Sequence, residues 1–100
     1  MAVIEVRINY TNGQFVPSQD PITLSKSKGE TIKWYNETAE RLTLEFANGT
    51  PFPPSRNPYT VDPDKQVDSG NIQVQEGTEF SYTIKAASGA MVDPQVIIER

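Results

Sequence analysis

The sequence predicts an all-β chain, a Greek-key antiparallel β-sandwich, and three observations carry that expectation. Apolar and polar residues alternate in short runs, as in Ile4-Glu5-Val6-Arg7-Ile8-Asn9-Tyr10, which is the period-two pattern of a strand with one buried face. Turn-forming pairs such as Asn12-Gly13, Lys28-Gly29, Glu76-Gly77 and Ser88-Gly89 separate the runs, and short strands so spaced indicate a sandwich. No run sustains a helical period, and no internal repeat or linker divides the chain. The 100 residues are therefore expected to form one domain, 1–100, around one core.

The strands follow in order. Ile4 to Tyr10 is the first, ending where Asn12-Gly13 tolerates positive φ. Phe15-Val16 and Ile22-Leu24 lie beside Pro17 and Pro21; proline lacks an amide donor, so these pieces suit a sheet edge or a change of sheet. Thr31 to Asn36 places Ile32 and Trp34 on one face, and Leu42, Leu44 and Phe46 repeat that spacing. Ala47 to Gly70 reads as a long loop carrying five prolines. Ile72-Val74 then resumes a strand, Phe80, Tyr82 and Ile84 alternate again, and Gln95 to Glu99 is the last strand. Ile32, Trp34, Leu42, Leu44, Phe46, Phe80, Tyr82 and Ile84 share the inward parity, so they are the expected core, with Trp34 its anchor.

Composition closes most chemistry. The chain has no histidine and no cysteine, the usual ligands of zinc, copper and non-haem iron, and imidazole is the commonest general base near neutral pH. Ser-His-Asp and Cys-His hydrolases and disulfide scaffolds are excluded in their ordinary forms. A net charge of −4 with nine dispersed basic residues argues against a nucleic-acid partner, which requires clustered Lys and Arg. No stretch approaches the roughly 20 apolar residues of a membrane span. The opening Met-Ala-Val-Ile-Glu-Val-Arg has no basic stretch leading into a long apolar one, so no signal peptide is expected. A cytoplasmic chain is the simpler expectation, and a mature exported domain with a new start the other. The two Asn-x-Thr triplets at Asn36 and Asn48 are too short a pattern to change it.

The order of pieces resembles the cupredoxin family. Phe15-Val16-Pro17, Ile22-Thr23-Leu24 and Lys28-Gly29-Glu30-Thr31-Ile32-Lys33-Trp34-Tyr35-Asn36 are similar to its first segments, which end in aromatic-x-Asn. Ser69-Gly70 followed by Gly77-Thr78-Glu79-Phe80-Ser81-Tyr82, then Gly89-Ala90-Met91 and Val96-Ile97-Ile98, look like its later ones. The resemblance implies a cupredoxin-like sandwich. It also implies where copper ligands would stand. Counting on from Asn36 without a gap, the first histidine falls at Leu42, or at Arg41 with a shift of one. The cysteine, second histidine and axial methionine would come from Ala86 to Pro94, which offers only Met91. A lone thioether is a weak ligand, so Met91 is read as gap-filling core, and no metal or other cofactor is expected. The fold carries over and the electron-transfer function does not, because function lives in the site.

Other constellations are weaker. Asp62, Asp64 and Asp68 invite a calcium reading, but Gln66, Val67 and Gln73 stand where a ligand, the glycine and the closing glutamate of a calcium loop belong, which leaves a solvated polar turn. Glu30, Glu37, Glu40 and Glu45 read as the solvent side of a sheet, and no catalytic residue is expected. The long loop is the favoured functional element. Phe52, Arg56 and Tyr59 are of the types enriched at interface hot spots, and Pro51 to Pro54 favours a pre-ordered extended backbone. Phe52 and Tyr59 either cover an open sheet edge or form a partner surface; edge cover is the simpler account. The expected function is a non-catalytic binding or assembly module with a protein partner. The alternative is a carbohydrate- or small-ligand-binding domain using Tyr35, Phe52 or Tyr59 as a stacking platform, which requires those rings to be exposed.

Overall fold

The computed structural model describes residues 3–99, and their strands form two packed layers. In the first, β1 (Val3–Thr11) pairs with β2 (Gln14–Pro17) and β4 (Thr31–Asn36), and β4 pairs with β7 (Gln66–Asp68). The β1–β2 hairpin closes through Asn12 and Gly13, with φ of 52° and 80°, the paired positive angles of a turn whose twist matches its strands. In the second layer β10 (Met91–Val92), β9 (Thr83–Ala86), β5 (Leu42–Glu45) and β6 (Tyr59–Val61) lie side by side. The ladder of β3 (Ile22–Leu24), β11 (Gln95–Ile98) and β8 (Glu79–Ser81) continues that layer, because Tyr82 alone separates β8 from β9.

Among the described residues, β1–β4 and β3–β11 pair in parallel and the remaining neighbours antiparallel. The chain leaves the first layer after Pro17, crosses to β3 and returns as β4, so it meets β1 running the same way. Period-two alternation fixes which face is buried and carries no information on the direction of a neighbour.

One contiguous core fills the space between the layers. Seven of the eight residues expected there are buried: Ile32, Trp34, Leu42, Leu44, Phe46, Tyr82 and Ile84. Phe80 has the same parity but is half-buried; it lies on β8, outside the ring cluster around Trp34. Tyr10 also has inward parity yet is 53% exposed, because β1 runs past the core and leaves the ring edge-on against Phe15 at 5.0 Å. Met91, expected as core, is 65% exposed. It stands opposite Lys85, on the outward parity of β9, while Val92 faces inward opposite Ile84 and packs on the core.

The stretch from Ala47 to Gly70 is not a structureless loop. It holds a single 3-10 turn (Pro54–Arg56) and two strands, β6 on the second layer and β7 on the first. Three-residue strands are too short to show periodicity. The stretch forms a strap anchored by its aromatic residues. Phe52 is fully buried and Tyr59 is 3% exposed, and their rings pack on Trp34 at 6.1 and 5.1 Å. Phe46 and Tyr82 complete the cluster. Each polar tip has a partner, as burial requires: Trp34 Nε1 donates to Tyr82 Oη at 3.3 Å, and Tyr59 Oη donates to the Ser69 carbonyl at 2.6 Å. The Asn57 side chain clasps the end of β5, accepting from Phe46 N and donating to Phe46 O. Ile72-Val74, expected as a strand, joins no ladder.

Replacing Phe52 and Tyr59 together with Ser should destabilise the protein by at least about 3 kcal/mol, read as a lower urea midpoint. Alkali should act on the same cluster. Burial pushes the Tyr59 hydroxyl up to about 12, only partly opposed by the nearby Arg56 charge. An unfolded tyrosine ionises near pH 10 while the folded one stays protonated, so the unfolded state holds fewer protons and stability falls as pH rises. Urea midpoints should therefore be insensitive to this group below pH 10 and decline from there toward pH 12, with a smaller decline in Tyr59→Phe.

Candidate functional site

Of the four residues singled out as a binding surface, the structure leaves only Arg56 fully at the surface. Phe52 and Tyr59 are core residues, because the strap folds inward and the apolar area of two rings is worth more against Trp34 than in water. Tyr35 lies on the solvent face of β4 but is half-buried. The Arg7 guanidinium covers its ring 4.6 Å from the centroid and is itself held by Glu37 at 2.9 Å. No exposed row of rings exists among these residues, so the aromatic platform is absent and Arg56 and Tyr35 do not converge on one site.

Arg56 is placed by local geometry. Pro54 presets the first position of the 3-10 turn, which closes through Arg56 N to Pro53 O at 3.0 Å and Asn57 N to Pro54 O at 3.2 Å. Opposite it, Gly70 has a φ of +87°, and a Cβ there would stand 3.0 Å from Pro53 Cδ and 3.3 Å from Arg56 Cδ. A side chain at position 70 would therefore be strained by its backbone and would push the turn away. With glycine, the turn closes down and Arg56 Nη2 donates to the Asp68 carbonyl at 3.1 Å.

Between this turn and the first sheet runs a groove of about 500 Å³, lined by Thr31, Lys33, Arg56, Asp68, Asn71 and Gln73 among others. Lys33 sits opposite Asp68 across the β4–β7 ladder and beside Glu5 across β1–β4. Glu5 is held by Arg7 at 3.4 Å. The ion pairs among the described residues belong to Arg7 and Arg41, the latter with Asp62 at 2.6 Å. Lys33 and Arg56 take part in none of them, so the groove carries two cations against one carboxylate on a chain of net charge −4. Lys33, Asn71 and Gln73 were not singled out from sequence. The one available signal was the Ser69-Gly70 turn that positions the strap.

Some carboxylates elsewhere are committed to single partners. Glu30 accepts from Ser25 N at 2.6 Å, and Asp93 from Thr83 at 2.7 Å. Among the described residues no group of three or more His, Cys, Asp or Glu could hold a metal ion. At the end of the sandwich where β4 leads to β5, Leu42 pairs with Ala86, and both are buried. Asn36 ties that end by donating to the carbonyls of Glu40 and Val61 at 2.7 and 2.9 Å and accepting from Thr38. The Glu40 carboxylate accepts from Ser88 N and Oγ, both at 3.3 Å.

No family model and no curated protein sequence matches the chain. Solved structures do match it. An amicyanin variant in its Cu(I) form is 13% identical over 97% of this chain and 82% of that chain, with a TM-score of 0.52. Another amicyanin variant, in its reduced Cu(I) form at pH 4, is 14% identical at the same coverage and TM-score. The laccase of Pediococcus acidilactici is 12% identical, over 97% of this chain and 25% of that chain, with a TM-score of 0.54. At these identities the likeness is one of fold. The chain is a cupredoxin-like β-sandwich.

Proposed function

We propose that this chain is a copper-free, non-catalytic binding module that engages a protein partner through the groove beside Arg56. The observation that carries the reading is the groove itself, where Lys33 and Arg56 stand without ion pairs among the described residues on an otherwise acidic chain. Arg is enriched among residues that dominate interface energies, and here its orientation is preset by the bond to the Asp68 carbonyl. A preset donor loses less freedom on binding.

The copper chemistry of the structural neighbours does not fit these residues. The place implied for the first histidine holds Leu42, or Arg41 with a shift of one, and the stretch Ala86 to Pro94 offers a single thioether, Met91. Copper in such sites relies on imidazole and thiolate donors. For catalysis, the groove has one carboxylate, Asp68, whereas acid–base hydrolysis by carboxylates needs two facing each other about 5–9 Å apart. Both arguments support a role in binding.

Titration with Cu(I) and Cu(II) at neutral pH followed by gel filtration should leave no stoichiometric metal; a one-to-one complex with an intense visible band would contradict the reading. Arg56→Glu should leave the melting temperature within about 2 °C of the parent, as an exposed substitution does, and abolish the complex captured from native extract. Retention of that complex by the variant would place the partner surface elsewhere.

A further inference from the structure

Residues 71–75 alternate in the pattern of a strand without a partner strand, and the backbone bends at Val74. Ile72 and Val74 are half-buried and pack on the core, while Asn71, Gln73 and Gln75 are exposed. The segment joins no ladder. Among the described residues its only backbone–backbone bond runs from Gln73 N to the Pro51 carbonyl, at 2.7 Å. Successive amides of an extended chain point to opposite edges. Gln73 N is turned to the strap, whereas Ile72 N and Val74 N have no hydrogen-bond partner among the described residues. Natural edges of this kind are blunted by charge or proline, yet Gly70 to Gln75 reads Gly-Asn-Ile-Gln-Val-Gln and contains neither.

We propose that residues 71–74 form an open strand edge that accepts an extended segment of a partner protein, with one acidic side chain of that segment seated between Lys33 and Arg56. The inference rests on the protein-binding reading above and names the chemistry recognised. Main-chain pairing supplies affinity in this mode, and side-chain pockets supply selection. The pocket is the groove, whose wall includes Asn71 and Gln73 from the edge itself. Lys33 and Arg56 favour a carboxylate. Asp68 and the neighbouring Glu5 oppose a second one, so the segment carries a single acid rather than an acidic run. The open groove, with exposed Arg56, Asp68, Asn71 and Gln73 on its walls, suits an extended chain better than a small molecule, whose sites bury most of the ligand.

The test uses fluorescein-labelled, end-blocked pentapeptides with glutamate fixed at the centre and the other positions randomised, screened by anisotropy against the whole protein. The tightest binder is then compared with two copies of itself, one with lysine at the centre and one N-methylated at alternate amides. Each copy should bind at least about tenfold more weakly, the first through loss of the ion pair and the second through loss of ladder bonds. Amide exchange at Ile72 and Val74 should slow in the complex. Lys33→Glu/Arg56→Glu, both surface changes, should reverse the preference between glutamate and lysine. Equal binding of the N-methylated copy, or unchanged exchange at Ile72 and Val74, overturns the strand-edge mode. Equal binding of the lysine copy overturns the acidic selection. Absence of any binder at millimolar peptide overturns the proposal even where Arg56→Glu still abolishes the native complex, whereas a native complex indifferent to Arg56→Glu refutes the underlying reading instead.

Discussion

The packing of Phe52 and Tyr59 onto Trp34 is the interaction on which the remaining structure depends. It draws a proline-rich stretch into the core, and from that follow β6 on one layer and β7 on the other. Without it the edge of β5 and the edge of β4 would each lose a neighbour. The cluster of Trp34, Phe46, Phe52, Tyr59 and Tyr82 therefore joins the layers as well as filling the space between them. Burial of such rings contributes more than any surface pair can, since an exposed ion pair is worth about 0–1 kcal/mol and a large buried aromatic about 3–5 kcal/mol on truncation. The three described ion pairs, all on half-exposed or exposed side chains, are secondary by that measure.

The same anchoring shapes the surface. With the strap fixed beneath, the Pro54–Arg56 turn closes tightly onto Gly70, where a Cβ would stand 3.0 Å from Pro53 Cδ. The turn then holds Arg56 over the groove with one nitrogen already bonded to the backbone. Within one segment the aromatic residues Phe52 and Tyr59 are buried, and Arg56 faces solvent.

Much of the sandwich was legible in the sequence because a half-buried strand must alternate. Ile32, Trp34, Leu42, Leu44, Tyr82 and Ile84 were assigned inward by parity alone, and all are buried. Parity does not tell where a strand outruns its cover, as at Tyr10, and Met91, read as gap-filling core because a lone thioether is a weak ligand, turns outward instead. Strands of three residues fall below any periodic window, which hid β6 and β7. The site was less legible. Hot-spot residue types were found at Phe52, Tyr59 and Arg56, but type does not reveal whether a ring turns in or out. Lys33 and Gln73, far apart in sequence, meet only through the fold. Ile72-Val74 was read as a strand from its alternation and has that alternation without a partner, a mismatch only the structure could expose.

The central claim is that the strap is an integral part of the core rather than a loop laid over it. Native-state hydrogen exchange tests it most directly. The amide of Phe46 is bonded to the strap side chain Asn57, and that of Ser69 to Ile32 of β4. If the strap is integral, both should open only with the whole molecule, with the same free energy and the same dependence on denaturant as the slowest amides of β4 and β5. Opening of Phe46 and Ser69 at a much lower free energy, with β4 and β5 still protected, would show a separable strap and contradict the account.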